Sequence, residues 1–373
     1  MRIALIARRF DPSGGGTERD LIVTAQYLRE AGHELAIYAD EVRAAAPSWT
    51  VRAVPTRAPG RALRVWRFAS AAPALARREG AELVVSFARA IGADVMRSGG
   101  GAHISYVRAA QRWRGPVAGR AMWLSAYHRA QMAVERRGFA APTLRRTVAV
   151  SNLVRDDLMR EFALAPERVV TIYNGVDADR FRPAVDDSAR ASVRRRLGVT
   201  GAGPLVVFAG NGFARKGLEF LIRAWPRVAR DAWLVVVGED RTALKFRRLC
   251  HRLGVAGRVH FAGRRRDISD IFGAADLFAM PSLFEPFGNV VMEAMASGLP
   301  PLTSATSGVS ELMPEPMRRF VVNDPTNPGE IAEKLGELIE RRAEFRGAVR
   351  AAAERCTWDE YGRRFIELID ALR

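Results

Sequence analysis

The chain has 373 residues, which is enough for two domains with cores of their own. Its composition, 48% apolar and 27% charged, is that of an ordinary globular protein. Its two cysteines, Cys250 and Cys356, exclude a disulfide framework and match no metal motif, which favours a reducing compartment. The formal net charge of +17 permits a partner with negative charge.

The first half of the chain alternates strands and helices. The apolar spacing from Asp20 to Ala31 predicts a helix that Gly32 ends. Short apolar runs predict strands at 3–7, 35–39, 83–87, 147–151 and 169–174. The five-residue run before Arg8 is too short for a signal-peptide core, and no run of eighteen apolar residues occurs, so we expect a cytoplasmic protein.

A segment rich in proline, glycine and charge, residues 183–204, predicts the domain boundary. The alternation then restarts, with predicted helices at 217–230, at 241–253 and around Glu293, and with strands at 205–210, 234–238, 259–263 and 276–281. We therefore expect an α/β protein with two Rossmann-like, doubly wound domains, 1–183 and 184–357, that face each other across a cleft. A C-terminal helix at about 358–373 is expected to pack back on the first domain.

The most informative segment is residues 281–300, which holds two carboxylates, Glu285 and Glu293, in apolar surroundings. Burying an unpaired carboxylate in such a setting costs free energy, so we expect a specific role to account for these two charges. Gly288 and Asn289 precede a predicted helix, and the free N–H groups and positive dipole end of a helix N-terminus suit a phosphate. Glu293 then lies about one turn into the helix, near that anion, and can accept hydrogen bonds from sugar hydroxyls.

Two cations, Arg215 and Lys216, follow the strand at 205–210 and precede a helix. At the carboxyl end of a strand they can neutralise the charge that develops on a diphosphate leaving group. A purely surface role is disfavoured because cations oppose the positive end of the helix dipole.

Four segments resemble the retaining glycosyltransferases of the GT-B fold, family four: 170–181, 208–217, 259–268 and 285–300. The resemblance covers nearly the whole chain. The segments GFARKG and FDPSGGGTERDL further resemble the branch of this family that builds the lipopolysaccharide core. Family members typically carry an arginine earlier in the 208–217 loop, where this chain has Asn211. The lipopolysaccharide branch resembles this chain in lacking that arginine.

The resemblance implies a role for each matching residue. Glu285 is expected to hold hydroxyls of the donor sugar, and Glu293 the ribose hydroxyls. The diphosphate is expected to meet the backbone N–H groups of Gly288, Asn289 and Val290. Two further matches are looser: Arg264 near the nucleobase, and His103 on the donor sugar.

For other candidate residues, a purely structural role is as simple an explanation as a functional one. Gly15 and Gly16 let the backbone approach a ligand closely, or merely form a turn. Asp20 is expected to bind or activate the acceptor hydroxyl, or else to favour the dipole of its helix. His103 is otherwise a polar loop residue. We expect no metal, because Asp177 and Asp179 lie beside arginines in a family segment not known for metal binding.

Residues 100–147 carry nine arginines against one acid, Glu135, with tyrosines and tryptophans interleaved. This pattern suits an anionic membrane surface or a phosphate-rich partner, and it also fits an arginine-biased genome, since the chain has three lysines in all.

The expected function is retaining, metal-independent transfer of a hexose from a nucleoside diphosphate sugar, UDP-glucose or a similar UDP-hexose, to a sugar of the lipopolysaccharide inner core. No other cofactor is expected, and the enzyme would lie on the inner face of the inner membrane. One alternative keeps the fold and uses another polysaccharide, lipid or small-molecule acceptor. A basic nucleic-acid-binding protein is the other alternative, and it is disfavoured because no nucleic-acid-binding motif occurs.

Overall fold

The structure is a computed structural model that describes residues 1–12, 14–43 and 48–373. Ser13, in the segment FDPSGGGTERDL, therefore lies outside the described residues. The chain forms two compact units, and each is built around its own parallel sheet. The first unit comprises Met1–Asn174 with Trp358–Arg373, and the second comprises Gly175–Thr357.

The strands and helices of the first unit alternate along most of its length. Its strands are β1 (Arg2–Phe10), β2 (Glu34–Val42), β3 (Val51–Ala53), β4 (Leu83–Ser86), β5 (Val95–Ser98), β6 (Arg146–Ala149) and β7 (Val169–Thr171). Its helices are α1 (Gly16–Glu30), α2 (Arg61–Arg78), α3 (His103–Ala109), α4 (Gln111–Arg114), α5 (Pro116–Leu124), α6 (Ala126–Phe139), α7 (Asn152–Phe162) and, from the chain end, α14 (Trp358–Asp370), with a 3₁₀ turn at Pro166–Arg168.

The first sheet has the order β3-β2-β1-β4-β5-β6-β7 in the described residues, and its strand pairs are parallel. The five strands that the apolar runs predicted are present. Strands β3 and β5 were not predicted. They have only three and four residues, each set includes an arginine, and neither shows a clear apolar run.

The C-terminal helix α14 packs on α1 within the first unit. The hydroxyl groups of Thr24 and Tyr361 lie 2.6 Å apart. A Cβ on Gly362 would come within 2.4 Å of the Tyr27 ring, so only glycine allows the two helices to approach this closely. Tyr361 and Phe365 are each 1% exposed and complete the core beside the strands of the sheet.

The second unit contains the remaining elements. Its strands are β8 (Leu205–Ala209), β9 (Trp233–Val237), β10 (Val259–Gly263), β11 (Leu277–Met280) and β12 (Pro301–Thr303). Its helices are α8 (Asp187–Arg196), α9 (Leu218–Ala224), α10 (Ala243–Arg252), α11 (Ile268–Ala274), α12 (Asn289–Ala296) and α13 (Pro328–Glu354), with 3₁₀ turns at Trp225–Arg227, Ala256–Arg258, Gly308–Leu312 and Glu315–Phe320. The sheet order is β10-β9-β8-β11-β12, again parallel. The prediction of two doubly wound parallel sheets is confirmed.

The units divide at Asn174–Gly175, whereas the sequence placed the boundary at 183–184. The intervening residues pack on the second sheet's helices. The ring of Phe181 lies 6.1 Å from that of Phe272, and the N–H of Ala184 donates to the carbonyl of Gly273.

Candidate active site

The order of the second sheet reverses between β8 and β11, since β9 follows β8 on one side and β11 lies on the other. In open parallel sheets, ligands bind at the carboxyl ends of the strands at such a switch point. The loops that leave β8 and β11 there are 210–217 and 281–288. They contain Arg215, Lys216 and Glu285 from the predicted site.

Gly217 brings the two loops into direct contact. Its φ of 80° lies in the left-handed region, and a Cβ at this position would come within 1.9 Å of the Pro281 carbonyl oxygen. The N–H of Leu283 also donates to the carbonyl of Arg215 at 2.8 Å. The backbone contacts therefore hold the two cations beside the segment that carries Glu285.

Lys216 and Arg215 both bind the Glu285 carboxylate. Its Oε2 lies 3.0 Å from the Lys216 Nζ and 3.1 Å from a guanidinium nitrogen of Arg215. The same arginine donates to the carbonyl of Phe284 at 2.6 Å, and Lys216 also lies 3.3 Å from the Met280 sulfur. Sequence reasoning placed the cations and the acid around one ligand; the structure joins them directly.

The charge of Glu285 is stabilised by these partners. Burial alone raises the pKa of a carboxyl group, but the charges and hydrogen bonds of Lys216 and Arg215 outweigh burial and lower the pKa of Glu285 below its usual value. The cluster of Arg215, Lys216 and Glu285 thus carries one net positive charge at neutral pH. It can accept an anionic group, while a carboxylate oxygen remains available to a hydroxyl.

Gly288 immediately precedes α12 with a φ of 112°, and Ser307 and Val309 pack against it. The N–H groups of Val291 and Met292 donate to the Gly288 carbonyl, so Gly288, Asn289 and Val290 precede the first hydrogen bonds of the helix. The N–H of Glu285 donates to the carbonyl of Thr306, and the N–H of Gly308 to that of Glu285, which fixes this segment beside the helix N-terminus.

Glu293 lies one turn further along α12 and is half-buried. Arg264 follows β10, which is an edge strand separated from β8 by β9, and its side chain is exposed. The described contacts do not connect Arg264 to Lys216 or Glu285. Asn211, where the family typically has an arginine, accepts a hydrogen bond from the N–H of Glu239 at 3.0 Å.

In the first unit, Asp20 is part of a buried ion pair. Asp20 is 4% exposed and Arg97 is 3% exposed, and a guanidinium nitrogen of Arg97 lies 2.8 Å from the Asp20 carboxylate. The same nitrogen donates to the Asn174 side-chain carbonyl at 2.6 Å. Burial lowers the pKa of the Arg97 guanidinium, but the charge of Asp20 and the hydroxyl of Tyr361 outweigh burial and raise it. This network joins α1, β5 and α14.

His103, the first residue of α3, is 7% exposed. Its Nε2 lies 2.9 Å from Nδ1 of His128, and its backbone N–H donates to Glu135 at 2.8 Å. Glu135 also binds Arg89 at 2.6 Å. Burial raises the pKa of Glu135, and Arg89 opposes that shift without cancelling it.

A cavity of about 80 Å³ lies beside these residues, at the carboxyl ends of β4 and β5. Its polar lining includes Arg89, Arg97, Glu135 and the glycine loop 99–101.

Gly15 is the residue that precedes α1, and Gly16 is the first residue of that helix. Sequence reasoning did not identify Arg89, Arg97 or Glu135 as buried charges, because their partners lie 46 and 77 residues away in the chain.

Known proteins resemble this chain over most of its length. Residues 14–180 match the family described as Glycosyltransferase Family 4, and residues 203–341 match Glycosyl transferases group 1. The lipopolysaccharide glucosyltransferase WaaG of Escherichia coli K12 is 26% identical over 375 residues, 99% of this chain and 95% of that protein. A crystal structure of WaaG has a TM-score of 0.81 at 24% identity and covers 98% of this chain and 99% of its own. The chain belongs to the glycosyltransferases of the GT-B fold.

Other relatives are named for different substrates. The D-inositol 3-phosphate glycosyltransferase of Xylanimonas cellulosilytica is 34% identical over 224 residues, 57% of this chain, and the alignment spans about half of that protein, 54%. The Anabaena protein HepE, solved in complex with UDP and glucose, has a TM-score of 0.76 at 19% identity and covers 100% of both chains. The glycosyltransferase therefore has relatives that act on different acceptors.

Replacing Gly217 by alanine tests the loop contact in the glycosyltransferase. The alanine methyl would collide with the Pro281 carbonyl and strain a left-handed backbone, so Gly217→Ala should lower the free energy of unfolding by about 1–3 kcal/mol. Denaturant unfolding measures this loss. Gly257→Ala is the control, because nothing lies within 4 Å of its Cβ position and its φ is not positive. Equal effects of the two substitutions would contradict the contact.

His103 is expected to remain neutral at physiological pH. Burial, with the nearby charges of Arg89 and His128, lowers the pKa of His103 to about 3. In the unfolded chain a histidine binds its proton near pH 6.5, so the stability from neutral His103 is present above that pH and is lost as the pH falls towards 3. The imidazole NMR signal that disappears in His103→Gln should not titrate between pH 8 and 5; a midpoint near 6.5 would contradict this.

Proposed function

We propose that the glycosyltransferase transfers a hexose from a UDP-sugar, UDP-glucose or a similar UDP-hexose, to a sugar of the lipopolysaccharide inner core, with retention of configuration and without a metal. The observation that carries the proposal is the cluster of Arg215, Lys216 and Glu285 at the switch point of the second sheet. WaaG, a lipopolysaccharide glucosyltransferase by name, aligns over nearly the whole chain and supports the lipopolysaccharide acceptor.

In this proposal, the donor diphosphate binds at the N-terminus of α12, by the backbone N–H groups of Gly288, Asn289 and Val290. Arg215 and Lys216 stabilise the negative charge that develops on it. Glu285 holds hydroxyls of the transferred sugar.

Further contacts complete donor binding. Glu293 binds the ribose hydroxyls, and Arg264 lies along the nucleobase. Within the first unit, the glycine turn at Gly15 and Gly16 and the His103 side chain are the proposed substrate contacts. Because His103 is neutral, it serves as a hydrogen-bonding group rather than as a charge.

The bond changes of the proposed reaction balance without another reagent. The bond between the sugar's anomeric carbon and the diphosphate oxygen breaks, and a bond from the acceptor oxygen forms on the same face. The acceptor proton passes to the departing phosphate oxygen.

We propose a supporting role for Asp20. Its ion pair with Arg97 makes the Asp20 carboxylate part of a buried network.

The donor is tested by ligand stabilisation and by a hydrolysis panel. UDP at millimolar concentration should raise the Tm, since a ligand that binds the native state stabilises it. UDP-glucose, UDP-galactose and their amino forms, scored for sugar release, then identify the hexose. Salt-sensitive binding to random RNA with no response to UDP would refute the proposal.

A second acceptor class is favoured by the relatives that carry the name D-inositol 3-phosphate glycosyltransferase, one of which is 34% identical over 57% of this chain. The alternative is transfer to a non-lipopolysaccharide acceptor, and an assay with both acceptor types decides between them. Product formed from inositol 3-phosphate but not from the lipopolysaccharide core would replace the first acceptor with the second.

We also propose that the segment α3–α6 binds an anionic membrane surface. In the described residues no helix is both long and apolar enough to span a bilayer, so contact would be at the surface. Trp113 and Trp123 pack inward against a small core of Val107, Ala110 and Met122. Val117 and Leu124 are each 83% exposed, amid exposed arginines at 112, 114, 120 and 129.

The membrane proposal predicts co-sedimentation with anionic vesicles that weakens as salt is added. Replacing Val117 and Leu124 by serine should reduce this binding, because each removes an exposed apolar group. Leu244→Ser is a control, since Leu244 is 57% exposed but lies on α10. Equal binding to neutral vesicles would contradict the proposal.

A further inference from the structure

Four arginines converge on one carboxylate at the amino-terminal edge of the second sheet. Asp276 immediately precedes β11, and its carboxylate accepts the N–H of Leu205, the first residue of β8, at 2.8 Å. Because the strands are parallel, this edge is opposite to the one that carries Lys216 and Glu285. The proposed donor site therefore makes no use of it.

Three of these arginines bind Asp276 directly. A guanidinium nitrogen of Arg190 lies 2.6 Å from one carboxylate oxygen, and one of Arg194 lies 3.2 Å from the other. Arg342, on α13, approaches to 3.6 Å. The carboxylate is thus occupied by three guanidinium groups and one backbone N–H, so it has little capacity left for a fourth cation.

The fourth arginine, Arg346, lies four residues after Arg342 on α13 and so on the same face of that helix. Its side chain is half-buried, and within the described residues it has no hydrogen bond or ion pair. Burial, with the charges of Arg190 and Arg342, lowers the pKa of the Arg346 guanidinium, and Asp276 offsets this only in part.

This arrangement is costly without a further anion. Arg190 with Arg194, and Arg342 with Arg346, are like-charged pairs four residues apart, which destabilise a helix. A half-buried guanidinium also loses hydration that its neighbours here do not replace. A single carboxylate leaves three of the four positive charges without compensation.

We propose that Arg190, Arg342 and Arg346 form a binding site for a phosphate-bearing anion, separate from the proposed donor site. The planar fork of a guanidinium matches phosphate oxygens and binds them by charge-assisted hydrogen bonds. Arg194 belongs to the floor of the site, because it is held by Asp276 and by the carbonyls of Gly201 and Gly203. The phosphate can belong to a free metabolite or to a lipid headgroup.

Pyrophosphate titration tests this site, with the Lys216→Met variant as the background so that the proposed donor site contributes less. Adding Arg342→Gln and Arg346→Gln should weaken pyrophosphate binding at least about tenfold, because two charge-assisted contacts are lost. The control adds Arg318→Gln and Arg319→Gln, which remove the same charge from exposed side chains that have acidic partners. Its affinity should equal that of the background.

Stability and vesicle binding complete the test. Without ligand, the Arg342→Gln and Arg346→Gln protein should have a Tm no lower than that of the control, because repulsion is relieved. Loss of binding to phosphatidylglycerol vesicles, without a pyrophosphate effect, would assign the phosphate to a lipid headgroup. Equal behaviour of the two double variants with both pyrophosphate and vesicles would overturn the proposal, as would pyrophosphate binding that Lys216→Met alone abolishes.

Discussion

Lys216→Met should lower sugar transfer by about 10²-fold or more, as does the loss of a group that stabilises developing negative charge in other enzymes. Lys216 is 8% exposed and binds Glu285 at 3.0 Å, so its ammonium group is already desolvated and positioned before a donor arrives. Methionine keeps the length and the apolar stem but removes the charge. Steady-state transfer from the UDP-hexose that the donor panel selects measures the effect.

Lys245→Met is the matched control for this prediction. Lys245 also pairs with a glutamate, Glu219 at 2.9 Å, but its side chain is 57% exposed and lies on α10. Its replacement should leave turnover nearly unchanged, since an exposed ion pair contributes little. If Lys216→Met is as active as Lys245→Met while both remain folded, Lys216 has no part in stabilising the leaving group.

Arg97→Leu should lower the free energy of unfolding of the first unit by about 3–5 kcal/mol, because it leaves the Asp20 carboxylate buried without its cation. The hydrogen bond to the Asn174 side chain is lost as well. Urea unfolding, followed by probes in each unit separately, measures the effect, since a two-unit chain need not unfold in one step.

Arg108→Leu provides the comparison for Arg97→Leu. Arg108 binds Glu161 at 2.8 Å, but its side chain is 54% exposed, so the loss should be about 0–1 kcal/mol. Similar losses from the two variants would show that burial of the Arg97 pair has no energetic weight.

Asp20→Asn then separates two roles for Asp20. If the carboxylate serves the buried network, the variant loses stability together with activity. If it activates the acceptor hydroxyl, turnover falls while the unfolding midpoint of the first unit is unchanged. The 4% exposure of Asp20 favours the first outcome.

Local patterns were enough to predict most of the fold. The apolar runs at 205–210 and 234–238 became β8 and β9, because fully buried parallel strands consist of consecutive apolar residues. β12 escaped prediction because its three residues begin with proline, and it exists through pairing with β11. Such a strand depends on its neighbour rather than on its own pattern.

The residues of the proposed donor site could be selected from the sequence, but their contacts could not. Glu285 stood out because a carboxylate in an apolar segment is costly, and Lys216 and Arg215 stood out because they follow a strand and precede a helix. Their mutual ion pairs depend on Gly217, whose missing side chain lets the loop after β8 touch the loop after β11. No spacing in the chain encodes that contact.

The sequence alone therefore predicted two parallel α/β sheets, the helix α12 that follows Gly288, and the charged residues beside it. These features follow from patterns among residues a few positions apart. Tertiary packing decided which charges are buried together. Asp20 meets Arg97, and Asp276 meets three arginines, because the strands and helices that carry them pack side by side although they are far apart in the chain. Burial and pairing depend on distances in space, and these exist only after the sheets have assembled.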